Sequence, residues 1–213
     1  MPGDVVLDVG ANVGHIGLLL SDLVKPRDIF AFEPVPVTYA RLTENWKCNL
    51  SAGEPNLFQL AVGESDGEVV FPSTSKPITV NSRITENNPQ SHARTVSVPL
   101  RRLDSFRHHW AGKKIGLLKI DVEGHEASVF VGGRDCILLD RPRLIMFESL
   151  DGKIDDFIAK TLKDADFATF QLNQRGQIDF DRSDAQNQFA LPAECREEML
   201  SRYADAQAAH HRS

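Results

Sequence analysis

Short apolar runs alternate along the chain with segments in which apolar residues recur every three or four positions. The runs predict strands, and the three-to-four spacing predicts amphipathic helices. The predicted strands cover residues 5–9, 28–32, 56–62, 68–71, 95–100, 115–122, 143–147, 168–172, 177–180 and 188–191. The predicted helices cover 13–24, 37–50 and 125–131, a short helix or turn covers 103–110, and two further helices carry Ile154, Phe157, Ile158 and Leu162, and Cys195, Met199, Tyr203 and Ala206.

This alternation predicts an α/β fold with a mostly parallel sheet and right-handed crossovers. The run 115–122 is nearly all apolar, which is typical of a central strand buried on both faces. Consecutive strands near the C-terminus predict an antiparallel edge. With 213 residues, the chain is expected to form one domain, with its core at 4–192 and a C-terminal helix and frayed tail at 193–213.

One connection stands out by its length and polarity. Residues 72–92 are rich in Ser, Thr, Pro and Asn and include Asn81, Ser82 and Arg83. Long loops of this kind are usually functional or disordered. We expect this loop to cover a pocket and to select the substrate.

Composition narrows the classes of function. A net charge of -6 argues against a nucleic-acid surface, which would be basic, and against binding to anionic membranes. No apolar run approaches the roughly 18 residues that span a bilayer, and no signal peptide precedes the first strand. Cys48, Cys136 and Cys195 are too scattered for a metal motif or a disulfide framework, which predicts a reducing, cytoplasmic location.

The first strand leads into a glycine-spaced turn. Gly10, Gly14 and Gly17 follow the pattern G-x-x-x-G-x-x-G, whereas the dinucleotide fingerprint is G-x-G-x-x-G. Asn12 occupies the position where the second glycine would admit a pyrophosphate, so a ligand without one, such as S-adenosylmethionine (SAM), fits better than NAD. Asp8, just before the turn, can hold a ligand ammonium directly or through water. The alternative is that the glycines serve only packing and Asp8 caps the turn.

An acidic residue ends the second strand. Glu33, followed by Pro34, lies about 20 positions after the glycines, where a carboxylate can accept both ribose hydroxyls. NAD and SAM sites share this feature, so it indicates a nucleoside without distinguishing the two. The alternative is a helix cap or a surface residue.

A third block, Lys119–Glu126, follows the central strand. Asp121 and Glu123 share one face if the strand persists, and His125 opens the next helix. Such a cluster of acids requires a nearby positive charge. That charge can be a sulfonium ligand, a metal ion, or Lys119 in a plain salt-bridge network. Together with Glu148, at the end of the next strand, Asp121 and Glu123 are hard oxygen donors suited to Mg²⁺ or Ca²⁺, although no compact ligand motif is present.

Taken together, these motifs resemble the FkbM family of SAM-dependent methyltransferases. The segments that carry the resemblance, within about residues 4–192, are DVGANVG (8–14), FEP (32–34), LKIDVEGHE (118–126), Arg141-Pro142 with Glu148, and NQFALP (187–192). The resemblance implies a class I methyltransferase fold, which is Rossmann-like and doubly wound, and O-methylation of sugar or polyketide hydroxyls. It also implies helices ahead of the first strand, which help to cover the cofactor and substrate; the given sequence begins too close to that strand to include them, either because the chain is short at its N-terminus or because it is cut from a longer one.

The resemblance and the spacing together suggest roles for individual residues. An alcohol must lose its proton to become a good nucleophile, so a general base is expected. Asp121 is favoured, His125 has the better-suited unperturbed pKa, and Glu148 can orient the hydroxyl. The predicted catalytic residues are Asp121, Glu123, His125 and Glu148, and the predicted cofactor contacts are Asp8, Gly10, Asn12, Gly14, Glu33, Pro34, Ala61 and Asp121.

The sequence therefore predicts a SAM-dependent O-methyltransferase acting on a sugar, glycan or natural-product small molecule. Two other interpretations of the same site stay open: a non-catalytic module that binds SAM or another nucleoside, and a metal-assisted methyltransferase. An NAD-dependent oxidoreductase is disfavoured by Asn12.

Overall fold

Strands and helices alternate along most of the chain in a computed structural model, which describes residues 3–49, 53–72, 95–149, 152–173, 176–180 and 185–210. The strands are β1 (Val5–Val9), β2 (Ile29–Phe32), β3 (Asn56–Phe58), β4 (Ala61–Val62), β5 (Gly67–Pro72), β6 (Thr95–Arg101), β7 (Ile115–Ile120), β8 (Ile145–Glu148), β9 (Phe167–Leu172), β10 (Ile178–Asp179) and β11 (Asn187–Pro192). The α-helices are α1 (His15–Leu20), α2 (Pro36–Asn49), α3 (Glu126–Gly132), α4 (Asp156–Asp164) and α5 (Arg196–His210).

The main sheet has the strand order β10-β9-β11-β8-β7-β1-β2-β3. Strands β3, β2, β1, β7 and β8 run parallel, and β11 pairs antiparallel with both β8 and β9. The mostly parallel sheet with an antiparallel C-terminal edge is thus confirmed. The chain builds β2 and β3 on one side of β1 and then places β7 on the other, so β1 and β7 form the switch point at which α/β folds bind ligands.

Apolar layers cover both faces of this sheet. All five residues of β1 are buried. Val5, Leu7 and Val9 pack in one cluster with residues of α3 and α4, whereas Val6 packs in another with Leu42 and Trp46 of α2. Alternate residues of one strand thus face two different helical layers, as a doubly wound fold requires.

The predicted strand 56–62 is wrong as a single element. Its first part is β3 of the main sheet, and its last part is β4 of a separate sheet with the order β4-β6-β5. The run appears continuous in the sequence because Leu57, Phe58, Leu60, Ala61 and Val62 are all apolar. The two parts pair in different sheets. Ala61 packs with Val35, Phe71 and Val98 in a small core of its own, whereas Val62 packs in the same cluster as Phe58.

The predicted helix 13–24 is too long. The helix α1 ends at Leu20, and the chain then turns so that the amides of Leu23 and Val24 donate to the carbonyl of Leu20. This turn buries Val24 against the main sheet and leaves Leu19 and Leu23 72% and 61% exposed. Apolar spacing alone could not distinguish buried from exposed leucines.

Other elements differ from the predictions only in their bounds or type. Residues Leu103–Trp110 form a 3-10 helix, and Cys136–Asp140 form a π-helical turn that the sequence pattern did not indicate. Most of the predicted substrate-selecting loop, including Asn81, Ser82 and Arg83, lies outside the described residues.

Two further findings bear on the composition argument. The three cysteines are unpaired. None of the helices in the described ranges combines the length and the apolar character needed to cross a bilayer.

The packing of α3 against the small sheet gives a testable prediction. A Cβ on Gly132 would lie 1.8 Å from the carbonyl oxygen of Gly63, so Gly132→Ala must force α3 away from the segment after β4. We expect a loss of about 1–3 kcal/mol in the free energy of unfolding, measured by urea denaturation. This sign is opposite to the gain that alanine usually brings inside a helix.

Gly67→Ala is the matched control, because nothing lies within 4 Å of a Cβ at that position. A Gly132→Ala variant as stable as the wild type would contradict the close contact between α3 and Gly63, which follows β4.

Candidate active site

A cavity of about 260 Å³ opens at the carboxyl ends of β1, β2, β7 and β8. The glycine turn and Glu33 form one side, an acidic cluster forms another, and residues of the small sheet form an apolar wall. Its lining comprises Val9, Gly10, Asn12, Phe32, Glu33, Pro34, Val35, Thr38, Leu60, Ala61, Val62, Phe71, Asp121, Val122, Glu123, His125 and Glu148. The cavity therefore lies at the switch point between β1 and β7, as expected for this topology.

The glycine turn has the backbone conformation that its sequence demands. Gly10 has φ +75°, and its amide and that of Ala11 donate to the carbonyl of Phe32. A Cβ on Gly10 would lie 1.9 Å from the carbonyl oxygen of Asp121. Gly10 thus lets the first loop pack directly on the loop that follows β7.

Two of the predicted cofactor contacts are not part of the lining. Asp8 is 1% exposed, and its carboxylate faces Lys119, with 3.1 Å between Oδ1 and Nζ. Gly14 has φ +91° and lies against the side chains of Leu42 and Trp46. Asp8 is within β1, and Gly14 packs against α2, so their predicted contacts with a cofactor stay predictions.

Glu33 is presented to the cavity by its own backbone neighbours. Its Oε2 accepts from the amide of Asn12 at 3.0 Å, and its Oε1 accepts from the amide of Val35 at 2.9 Å. Each carboxylate oxygen keeps a further lone pair for a ligand hydroxyl. Burial raises the pKa of Glu33 to about 7, although both backbone hydrogen bonds oppose the shift. Pro34 and Asn12 line the cavity beside it.

Three carboxylates converge on the opposite side. The carboxylate oxygens of Asp121, Glu123 and Glu148 lie within 4.8 Å of one another. The strand does not persist as predicted: β7 ends at Ile120, and Glu123 has φ +56°. A turn, rather than strand alternation, therefore brings Asp121 and Glu123 together.

Glu148 is the most perturbed member of this cluster. Burial raises its pKa to about 7, and the negative charges of Asp121, Glu123 and Glu126 act in the same direction. Its Oε2 is buried and accepts no hydrogen bond from the described residues. An oxygen in this state is suited to accept a hydrogen bond from a ligand hydroxyl.

Glu126 shapes the turn that carries the cluster, and the sequence analysis gave it no role. It is 5% exposed, and its Oε1 accepts from the amides of Val122 at 3.0 Å and Gly124 at 3.2 Å. Its position at the start of a predicted helix could have indicated this role, because an acid there can accept from unpaired backbone amides. His125 lines the cavity and makes no capping hydrogen bond to α3, so its predicted role as a base stays a prediction.

The apolar wall was predicted only in part. Ala61 lies in the lining as expected, but Leu60, Val62 and Phe71 accompany it. These residues were missed because the small sheet was not predicted. Apolar side chains on one side and hydrogen-bonding groups on the other are typical of small-molecule sites.

The charge balance of the site depends on Lys119, which is 5% exposed. Its ammonium is 3.1 Å from Asp8 and 3.6 Å from Asp121, and it donates to the carbonyl oxygen of Gly10 at 2.6 Å. This lysine supplies the countercharge that the sequence analysis offered as one explanation of the acids. The carboxylates of Asp121, Glu123 and Glu148 also offer the oxygen donors that a hard divalent cation uses.

Comparison with known proteins places the chain in a family. The family model described as "Methyltransferase FkbM domain" matches residues 8–169. The 2-O-methyltransferase NoeI of Sinorhizobium fredii is 29% identical in an alignment of 167 residues that covers 72% of this chain and 66% of the relative. The hexuronic acid methyltransferase AglP of Haloferax volcanii is 28% identical over 166 residues, which are 78% of this chain and 64% of the relative. The match to each of these curated relatives thus spans just under two thirds of its length.

Solved structures agree on the fold. The crystal structure of a methyltransferase FkbM from Methylobacillus flagellatus aligns with a TM-score of 0.58 at 15% identity, covering 90% of this chain and 44% of that one. At this identity the likeness concerns the fold alone.

The raised pKa of Glu33 gives a prediction for the ligand-free protein. Between its ordinary pKa near 4.5 and about 7, folded Glu33 binds more protons than the unfolded chain does, so stability falls as pH rises through this window. The contribution is at most roughly 3 kcal/mol. In Glu33→Gln we expect the free energy of unfolding, measured by urea denaturation, to fall less between pH 5 and 7.

Glu64→Gln, which changes an exposed carboxylate, should keep the wild-type pH profile. The raised pKa of Glu148 makes the free energy of unfolding fall over the same pH range in the wild type and in both variants. An unaltered slope in Glu33→Gln would contradict the raised pKa of Glu33.

Proposed function

Because the chain belongs to the FkbM family of methyltransferases, we propose that it binds SAM in the cavity at the carboxyl edge and methylates a hydroxyl. The observation that carries the proposal is that one cavity joins Glu33, at the end of β2, to the carboxylates at the ends of β7 and β8. A nucleoside-binding group and a cluster of proton acceptors are the two parts that such a transfer requires.

The first part is the cofactor side. Glu33 would accept from the ribose hydroxyls with the lone pairs that Asn12 and Val35 leave available. The apolar wall of Leu60, Ala61 and Phe71 would contact the adenine ring of SAM. When bound, SAM supplies an electrophilic methyl group on a positively charged sulfur, so the protein needs only to orient the reactants and to move one proton.

The second part is the acceptor side. Asp121 would act as the general base for the acceptor hydroxyl, and Glu148 would orient that hydroxyl through its buried Oε2, which accepts no hydrogen bond within the described part of the chain. Glu123 and His125 line the same side and are further candidates for these roles. The proposed acceptor is a sugar, a glycan or a natural-product small molecule. The names of the two relatives, a 2-O-methyltransferase and a hexuronic acid methyltransferase, support a sugar.

Substitutions at Asp121 and Glu33 should affect different quantities, the first the rate of methyl transfer and the second the affinity for SAM. Asp121→Asn removes the proposed base, so we expect kcat to fall about 10²–10⁴-fold, while the dissociation constant of SAM stays within about tenfold. Glu33→Ala removes the ribose acceptor and should weaken SAM binding by about 1–3 kcal/mol. Isothermal titration calorimetry measures the affinities, and S-adenosylhomocysteine formation with a panel of glycosides measures turnover.

The outcomes distinguish the interpretations of the site. Full turnover in Asp121→Asn would remove this residue from the chemistry, and undiminished affinity in Glu33→Ala would refute the ribose role. SAM binding without product from any hydroxylated acceptor would favour a non-catalytic module. Calorimetric binding of NAD in place of SAM would favour an oxidoreductase.

Metal assistance is the second candidate mechanism, because three carboxylates lie within 4.8 Å of one another. Lys119 already places a positive charge 3.6 Å from Asp121, so the proposed base mechanism requires no cation. We therefore expect dialysis against EDTA to leave turnover unchanged. Lost activity that Mg²⁺ or Ca²⁺ restores would instead show that these carboxylates hold a metal.

A further inference from the structure

Lys119 lies between the two loops that form the site. It is on β7, directly opposite Asp8 of β1 in the parallel register. The first loop leaves β1 at Gly10, and the second leaves β7 at Asp121. An ammonium at this position can contact groups of both loops.

The contacts of the Lys119 ammonium are divided between the loops. It donates to the carbonyl oxygen of Gly10 at 2.6 Å and lies 3.6 Å from Oδ2 of Asp121. Oδ1 of Asp8, beneath the first loop, is 3.1 Å away. Because a buried ammonium is costly without partners, these contacts strongly constrain where the two loops can lie.

The backbones of the loops meet at the same place. The amide of Asp121 donates to the carbonyl of Val9 at 3.1 Å, and Gly10 packs against the carbonyl of Asp121. The carboxylate of Asp121 lies 3.6 Å from the Lys119 ammonium, and its side chain is 45% exposed. Among the described residues, the ion pair with Lys119 is therefore the contact that attracts this carboxylate towards the first loop.

The charge of Lys119 also acts on both sides of the cavity. Burial raises the pKa of Glu33 and of Glu148, and the positive charge of Lys119 opposes the shift at each. Glu33 belongs to the side proposed for the cofactor, and Glu148 to the side proposed for the acceptor.

We propose that Lys119 is a positioning residue that holds the carboxylate of Asp121 in a fixed place relative to the Gly10 loop. The inference rests on the proposed function for its catalytic consequence: the hydroxyl that Asp121 deprotonates must be in line with the methyl group of a cofactor seated on the Gly10 loop. In-line displacement is sensitive to such alignment, and a shift of about 1 Å can cost about 100-fold in rate.

The first test is hydrogen exchange by mass spectrometry on the ligand-free protein. In Lys119→Met, the amides of residues 9–14 and 121–126 should exchange faster than in the wild type, because both loops lose their shared partner. The single variant leaves the buried Asp8 without its cation and can fail to fold. The double variant Asp8→Asn/Lys119→Met removes both charges and should show the same faster exchange.

Lys113→Met is the matched control. Lys113 also pairs with a buried aspartate, Asp28, at 2.5 Å, but it does not line the cavity. Its loss should leave exchange in both loops as in the wild type. Unchanged exchange in both Lys119 variants would overturn the inference, and so would faster exchange in both loops of the control.

The second test is a split between kcat and affinity. In the folded Lys119 variants we expect kcat to fall about 100-fold, while calorimetric SAM affinity changes by less than about tenfold. A merely structural lysine would lower the melting temperature without lowering the kcat of the folded fraction, and that result would overturn the inference. A wild type that methylates no acceptor would defeat the proposed function, whereas the exchange measurement would still decide the role of Lys119.

Discussion

The contact between the Gly10 loop and the backbone of Asp121 is the constraint on which the site depends. It exists because β1 and β7 are adjacent and parallel, so their carboxyl ends release two loops at the same edge. A side chain at position 10 would fall 1.9 Å from the carbonyl oxygen of Asp121. The glycine turn is therefore as much a requirement of the neighbouring loop as of a bound nucleoside.

The electrostatics of the cavity follow from the same adjacency. The adjacency of β1 and β7 brings Asp8 close to Asp121 and Glu123, the parallel pairing of β7 with β8 adds Glu148, and the buried Lys119 offsets only part of their charge. Burial raises the pKa of Glu148 and, on the far side of the cavity, of Glu33 to about 7, and at Glu148 the charges of Asp121, Glu123 and Glu126 add to the shift. Shifts of this kind in a concave site are typical of binding and catalysis.

The sequence predicted the sheet well, because four of the five residues of β1 are apolar and β7 is a nearly continuous apolar run, as in strands covered on both faces. It also predicted that Glu33 and the acids after β7 would face one cavity. It could not separate β3 from β4, because both strands are apolar and only the folded structure shows that they pair in different sheets. Nor could the spacing along the first loop show that Asp8 and Gly14 lie outside the cavity lining.

The clustered carboxylates raise the free energy of the ligand-free site, and a cationic ligand would lower it by reducing their mutual repulsion. A positively charged sulfur would reduce the repulsion within the cluster of Asp121, Glu123 and Glu148, and ribose hydroxyls would satisfy the remaining lone pairs of Glu33. Binding energy and conformational stability are then linked, since whatever binds only the folded chain stabilises it. Under the proposed function, the cluster of Asp121, Glu123 and Glu148 would favour a cationic ligand over a neutral or anionic one such as NAD. The carboxylate cluster and Asn12 of the glycine turn thus support the same proposed cofactor from different residues.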